Sequence, residues 1–243
     1  EIDEIKNNDG VDAIMEIGLP GAYGFYGVAD VLSGEANPSG HLTDTYVVTN
    51  ANSPAAQNFG NYAWTNADPS VNINAEEVEA EGIYTGYKYY ETRYADTVLG
   101  QGNADAKVGS STGSAWNYDS EVSYPFGYGL SYTTFEQTLK SVDVDLENRT
   151  VTAEVEVKNT GDVAGKDVVQ LYTSVPYTEY DIENKVEKSA VQLLDYEKTD
   201  VIEPGKSQTV TINADAQDMA SWDSTCSNEA GTTGNWILDN GTY

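Results

Sequence analysis

Cysteine and histidine are nearly absent from this sequence, which contains one of each, Cys226 and His41. A single cysteine allows no internal disulfide and no cysteine-rich metal site. We take the single histidine to exclude a multi-histidine metal site and a His-based catalytic triad. Neither a Gly-x-Ser-x-Gly nor a P-loop pattern occurs in the chain. The composition therefore predicts neither a metal nor a cofactor.

Basic residues are also scarce, since 12 Lys and Arg face 40 Asp and Glu and the formal net charge is −28. A surface this negative repels phosphate backbones and anionic lipid. No apolar run approaches the roughly 20 residues that a membrane span needs. We therefore expect no nucleic acid and no membrane as partners, whereas neutral ligands such as sugars are unaffected by the field.

The start of the chain lacks an initiator Met, a basic n-region and an apolar signal core. This suggests a piece of a longer protein, and it leaves the compartment unknown. The chain has 243 residues, of which 39% are hydrophobic, and this is enough for one or two domains with cores of their own.

Residues 11–40 show the strand, turn and helix order of an α/β layer. The apolar run from Val11 to Leu19 predicts a buried strand, and Pro20 and Gly21 end it. Apolar residues at three- and four-residue spacing then predict a helix of about three turns that Gly34 closes. The strand-like segment GHLTDTYVV follows.

After Phe135 the pattern changes to short runs separated by turn residues, and apolar and polar residues alternate in the first two runs, SVDVDLE and VTAEVEVK. Seven short strands of this kind indicate a β-sandwich of immunoglobulin type. We place the domain boundary near residue 137, so that the predicted domains are 1–136 and 137–243. The predicted strands are SVDVDLE, VTAEVEVK, DVVQLYTSV, AVQLLDYEK, SQTVTINA, MASWD and NWILDNGTY.

The stretch YPFGYGLSYTTFE, residues 124–136, combines aromatic residues with glycine and proline. Glycine permits a tight corner and the rings could bury apolar area within a core. Exposed tyrosines could instead form a platform that stacks on sugar rings. The structural interpretation is favoured because buried aromatic side chains far outnumber ligand platforms.

The chain resembles glycoside hydrolase family 3 in motifs that follow one another in the family's order over nearly its whole length. The N-terminal motifs are VDAIMEIGLPGAYGFYGVADVLSGEANPSGHL, EGIYTGYKYYETRY and PFGYGLSYTTFE. Later segments resemble the fibronectin type III-like domain that ends many members, namely VTAEVEVKNTGDVAGKDVVQLYTSVP, YEK, EPGKSQTV and WILDNGTY. The resemblance implies the end of an αβα sandwich followed by that β-sandwich. Ala22, Tyr23, His41 and Thr43 depart from the residues that are frequent in the family.

Members of the family are mostly retaining glycosidases, which need two carboxylates about 5–5.5 Å apart. The resemblance implies that the aspartate nucleophile lies in an upstream TIM-barrel domain, and that the acid/base glutamate also lies upstream. It therefore predicts no catalytic residue in this chain. The predicted function is the C-terminal part of a β-glucosidase or related exo-glycosidase, inactive alone, whose parent binds an oligosaccharide or glycoside and contains the missing barrel.

Two glutamates could be mistaken for catalytic groups. Glu35 lies in Ser33-Gly34-Glu35, which imitates an acid/base motif, but the family's order places it in a turn after a helix. Glu16 lies in an apolar run, where burial could raise the pKa of its carboxyl. Both are interpreted as structural residues. The acidic segment EEVEAE, residues 76–81, lacks EF-hand spacing and is interpreted as a solvated face.

Two other functions remain open. The chain could be a non-catalytic carbohydrate-binding or adhesion module in which exposed Tyr62, Trp64, Trp116 and Tyr118 stack on sugar rings. It could also be purely structural, with the β-sandwich packed on a partner domain. In that case residues 1–136 should expose a large apolar patch.

Overall fold

A computed structural model of the chain describes residues 2–60, 79–102 and 115–243. The N-terminal part consists of short helices and one small sheet. Its helices are α1 (Ile2–Lys6), α2 (Gly21–Ser33), α3 (Pro54–Asn58), α4 (Tyr87–Tyr94) and α5 (Tyr118–Glu121). Its strands are β1 (Tyr46–Val47) and β2 (Val122–Tyr124), which pair antiparallel.

The predicted helix after Pro20 is confirmed as α2, and it ends where the sequence indicated. Gly34 has the left-handed φ of 82°, and its N–H donates to the Val31 carbonyl at 3.1 Å. The Ala36 N–H then donates to the Asp30 carbonyl at 3.0 Å. Glycine adopts this conformation without the steric cost of a β-carbon, so it closes the last turn.

The strand predicted from Val11 to Leu19 is wrong, because these residues are irregular and exposed. Leu19 is 101% exposed, and Ile14 and Ile17 are each 41% exposed. A strand exists only as part of a ladder of hydrogen bonds with a neighbour, and residues 11–19 pair with no strand of the described chain. An apolar run alone therefore does not define a strand.

The C-terminal part contains the seven predicted strands and one helix, α6 (Glu179–Asn184). β3, β4 and β7 form one antiparallel sheet with β4 in the centre, while β5 pairs with β6 and β8 with β9. The strands are β3 (Phe135–Asp145), β4 (Thr150–Asn159), β5 (Val168–Thr173), β6 (Gln192–Lys198), β7 (Ser207–Asp215), β8 (Ser221–Ser227) and β9 (Thr233–Ile237).

The β-sandwich has the core that strand alternation predicts. Val155 and Val157 of β4 and Val210 and Ile212 of β7 are at most 6% exposed and lie in one cluster. Val169 of β5 packs into the same cluster from the other sheet. Each such burial stabilises the fold by about 1.5–3 kcal/mol, so the alternation along β4 and β7 determines which face of these strands turns inward. In β3 the alternating Val142 and Val144 are instead 49% and 46% exposed.

Helix α4 connects the two parts of the chain. The Leu193 N–H donates to the Tyr87 hydroxyl at 2.9 Å, and the Ala190 N–H donates to Thr92 Oγ1 at 2.9 Å. The backbone at the start of β6 and just before it thus hydrogen-bonds two side chains of α4. Tyr87 and Thr92 fix the helix against the β-sandwich, and this contact forms one wall of the site described below.

The N-terminal part exposes several large apolar side chains, as the structural alternative predicted. Leu19, Tyr23, Phe25, Tyr26 and Leu32 are between 60% and 101% exposed. In the described ranges, none of the helices is both long and apolar enough to cross a membrane.

Candidate functional site

The loop between β2 and β3, residues 125–134, forms the tight corner that its glycines predicted; we call it the corner loop. The Gly127 N–H donates to the Leu42 carbonyl at 2.8 Å, and the Leu42 N–H donates to the Tyr128 carbonyl at 2.8 Å. Gly127 has a φ of +78°. The loop is thereby held against the segment that follows α2. The predicted corner is present, but Tyr128 and Tyr132 are 37% and 50% exposed, so these two rings are not buried in a core.

The Asn37 side chain hydrogen-bonds both this loop and the β-sandwich. Its Oδ1 accepts hydrogen bonds from Ser131 Oγ and from the Tyr132 N–H, both at 2.8 Å. Its Nδ2 donates to the Ala164 carbonyl of the β-sandwich at 3.1 Å. A single amide side chain therefore fixes the position of the loop relative to both parts of the chain.

A cavity of about 310 Å³ lies where the loop, α4 and the β-sandwich meet; we call it the junction cavity. Three aromatic rings line it. The Tyr87 and Phe126 ring centroids are 4.6 Å apart, and those of Tyr87 and Tyr172 are 6.3 Å apart in an edge-to-face arrangement. Its remaining lining residues are Glu91, Gln170 and Val191.

The two polar side chains of the junction cavity are held by tyrosine hydroxyls. Tyr118 donates to Glu91 Oε1 at 2.6 Å, and Tyr172 donates to Gln170 Oε1 at 3.0 Å. Burial, with smaller contributions from Tyr87 and Glu91, raises the pKa of Tyr172 to about 12. Tyr172 therefore remains a neutral hydrogen-bond donor at every physiological pH.

Sequence reasoning missed the junction cavity, although part of its signal is present. Tyr87 and Glu91 are four apart on a helix, and Gln170 and Tyr172 are two apart on a strand. Each pair therefore shares one face of its element. The meeting of the two faces depends on how the two parts of the chain pack, which the spacing does not encode.

Glu16 and Glu35, the two glutamates considered from sequence, are both exposed. Glu16 Oε1 accepts the Gly18 N–H at 2.7 Å within its own loop, and the Glu16 carboxylate contributes, after burial, to raising the pKa of Tyr46. Glu35 directly follows Gly34 in the turn after α2, as its structural interpretation predicted. Neither lines the junction cavity.

Glu121 is a buried carboxyl group that the sequence analysis did not select. It ends α5 and is 5% exposed, and its burial raises the pKa of the carboxyl, an effect that a hydrogen bond with Asn52 partly opposes. It directly precedes Val122, which is buried in one cluster with Tyr90 and Trp116. Glu121 does not line the junction cavity.

Two of the four candidate sugar-stacking residues lie in the described part of the chain. Tyr62 and Trp64 lie outside the described residues. Trp116 is only 5% exposed, which overturns the expectation that it is an exposed loop residue, and Tyr118 is half-buried. Trp116 packs edge-to-face with Tyr118, and the Arg93 guanidinium lies 5.6 Å from its ring centroid. Its ring is therefore part of a core.

His41 is half-buried against the corner loop. A β-carbon built on Gly129 would stand 3.0 Å from the His41 ring, and His41 Nδ1 makes no hydrogen bond with the described residues. Residues 76–78 of the acidic segment lie outside the described residues. Within the described ranges, no three His, Cys, Asp or Glu side chains are grouped as metal ligands.

A buried ion cluster holds the C-terminal segment. Lys188 Nζ donates to Asp181 Oδ2 at 2.9 Å, to the Pro176 carbonyl at 3.0 Å and to Asp239 Oδ2. Asp181 also completes the N-terminal cap of α6 by accepting from Thr178. One cation thus pairs with two carboxylates, and it connects α6 to the chain that follows β9.

Comparison with known proteins identifies relatives along the whole chain. The chain is 34% identical over 235 residues to a β-glucosidase of Ruminococcus albus, covering 96% of this chain and 20% of the relative. It is also 34% identical over 253 residues to β-glucosidase A of Butyrivibrio fibrisolvens, covering 98% of this chain and 25% of the relative. The chain thus spans about a fifth to a quarter of these relatives.

Solved β-glucosidase structures show the same fold. β-Glucosidase 3B of Thermotoga neapolitana, solved in complex with α-D-glucose, matches with a TM-score of 0.54 and 31% identity, over 80% of this chain and 21% of that one. A β-glucosidase of Paenibacillus barengoltzii matches with a TM-score of 0.58 and 26% identity, over 90% of this chain and 21% of that one.

Two family models match the chain, in the order in which the sequence predicted the two folds. Residues 1–132 match the glycosyl hydrolase family 3 C-terminal domain, and residues 167–243 match the fibronectin type III-like domain. The exact boundary near residue 137 stays a prediction. The first match covers more than half of the chain, and the chain therefore belongs to glycoside hydrolase family 3, of which it contains the C-terminal domain followed by a fibronectin type III-like β-sandwich.

Proposed function

We propose that this chain is the C-terminal part of a retaining β-glucosidase or a related exo-glycosidase. The observation that carries the proposal is the coverage of its relatives, since β-glucosidases match 96–98% of this chain but only 20–25% of their own length lies in the match. Retaining hydrolysis needs a nucleophile and an acid/base about 5–5.5 Å apart. In our proposal the parent's upstream barrel supplies both groups.

The positions of three glutamates in this chain support the proposal that the catalytic groups lie upstream. Glu16 and Glu35 are each exposed in a loop or turn, and Glu121 is buried beside a core. A general acid of a glycosidase needs a raised pKa and a partner carboxylate across the sugar. Burial raises the pKa of the Glu121 carboxyl, but Glu121 does not line the junction cavity.

The role of this chain in the parent enzyme is to complete and brace the second domain. Leu19, Tyr23 and Phe25 are more than half exposed and precede or begin α2. In the proposed parent, this apolar surface packs against the rest of the α/β sandwich, which also gives residues 11–19 a strand to pair with. The β-sandwich holds α4 and the corner loop in place through Asn37, Tyr87 and Thr92.

The test is to recover the coding region upstream of Glu1 and to express the whole product. We expect a barrel of about 250 residues, turnover of an aryl β-glucoside, and a β-configured first product in an NMR time course. An upstream region without a barrel, or a complete product that leaves aryl glycosides intact, would overturn the proposal.

A further inference from the structure

We propose that the junction cavity is a non-catalytic binding site for a neutral sugar, one pyranose unit in size. It is built from α4, the corner loop and β5, and it needs no residue of an upstream barrel. The proposal goes beyond the proposed function, because it assigns a sugar site to this part of the chain.

The size and the walls of the cavity fit a sugar ring. Its volume of about 310 Å³ lies at the lower end of the range for small-molecule sites. Tyr87, Phe126 and Tyr172 provide its aromatic surface, and each is half-buried, so that the rings are held in place while remaining accessible. A pyranose ring presents C–H-lined faces that pack on aromatic faces.

The cavity also has one acceptor and one donor that no described residue uses. Glu91 accepts from Tyr118 through Oε1, and its Oε2 makes no hydrogen bond within the described chain. Gln170 accepts from Tyr172 through Oε1, and its Nε2 likewise has no partner there. A pair of neighbouring sugar hydroxyls matches this arrangement, since one can donate to the carboxylate and the other can accept from the amide.

The supporting contacts hold these groups before a ligand arrives. A β-carbon built on Gly127 would stand 2.4 Å from Gln170 Oε1, so the glycine makes room for the amide. Tyr118 and Tyr172 fix the two side chains through their hydroxyls. A ligand therefore meets side chains whose freedom is already reduced, which lowers the entropic cost of binding.

An organic cation is the competing ligand, because three aromatic rings beside a carboxylate also resemble an ammonium cage. The Nε2 amide group of Gln170, which has no partner among the described residues, decides between a neutral sugar and an organic cation. Its amide N–H bonds present partial positive charge, which repels a cation and attracts a hydroxyl oxygen. The same cavity therefore suits a neutral polyhydroxylated ring better than it suits an ammonium group.

The experiment is to titrate the 243-residue chain with glucose, and separately with choline, while recording amide NMR spectra. We expect saturable binding of glucose in the millimolar range, with shifts concentrated at residues 87–91, 126–127 and 170–172. Absence of saturable shifts with glucose, shifts that map elsewhere, or binding of choline in preference to glucose would each overturn the assignment.

Variants give a second readout. Gln170→Leu and Glu91→Gln are each expected to weaken glucose binding at least five-fold, whereas Glu136→Gln, an exposed change of the same type on β3, should leave it unchanged. If all three variants are folded and bind glucose with the affinity of the wild type, the proposal is contradicted. Binding to this chain and turnover by the longer enzyme are separate measurements, so failure of one does not imply failure of the other.

Discussion

Gln170 of the β-sandwich lies directly over Gly127 of the corner loop, so closely that a β-carbon on Gly127 would stand 2.4 Å from Gln170 Oε1 and 2.8 Å from Gln170 Nε2. Gly127 also has a φ of +78°, which L-residues with a side chain rarely adopt. Two independent constraints therefore select glycine at this position. The tight loop and the interdomain contact depend on the same residue.

Gly127→Ala should destabilise the chain by about 1–2 kcal/mol from its left-handed backbone alone, and by more because the methyl group displaces Gln170. Urea unfolding measures the change. Gly27→Ala is the matched control, because a β-carbon on Gly27 meets nothing within 4 Å and the residue lies inside α2. The control should be neutral or stabilising, and equal losses in the two variants would contradict this account of Gly127.

Lys188→Met should lower the free energy of unfolding by about 3–5 kcal/mol, because it leaves Asp181 and Asp239 without their buried cation. Thermal or urea unfolding checks this. The control is Lys140→Met, which breaks an exposed ion pair with Glu156. Exposed pairs contribute about 0–1 kcal/mol. If the Lys188 variant lost no more stability than the control, the buried cluster would not hold the C-terminal segment.

Asp223→Asn should destabilise the chain most at neutral pH. Asp223 is buried, and hydrogen bonds from Tyr180, at 2.5 Å, and from Thr225 lower the pKa of its carboxyl to about 2. A lowered pKa stabilises the fold above the unfolded value of about 3.9, and this contribution is lost as the pH falls towards 2.

The measurement for Asp223 is the urea midpoint of wild type and variant between pH 7 and pH 3. The difference between them should shrink as the pH falls. Asp143→Asn, on the exposed edge strand β3, is the control and should show a small difference at every pH. A gap for the Asp223 variant that does not change with pH would contradict the role of the ionised carboxylate.

The sequence predicted elements well where the signal is local. The spacing after Pro20 and the glycine at position 34 predicted α2, and short runs separated by turn residues predicted the strands from β3 to β9. Each of these elements is determined by the apolar pattern within its own sequence and by the residues at its own ends. The same reasoning failed for residues 11–19, because an apolar run becomes a strand only beside a partner strand.

The candidate site could not be predicted in the same way, because it is formed by packing. Glu91 and Gln170 lie 79 positions apart in the sequence, and no spacing relates a helix of one domain to a strand of the next. Trp116 shows the converse error, since a tryptophan next to a polar loop was expected to be exposed but is buried against Tyr118. Tertiary contacts determine both where the junction cavity forms and how deeply Trp116 is buried.

The central claim is that the reactive carboxylate pair of the proposed parent glycosidase lies outside the 243 residues. The most direct test is to incubate the purified chain, shown to be folded by its amide spectrum, with an aryl β-glucoside and to record release of the phenol. We predict no release above the rate in buffer. Release that depends on the protein and persists in the Glu16→Gln and Glu35→Gln variants would contradict the claim.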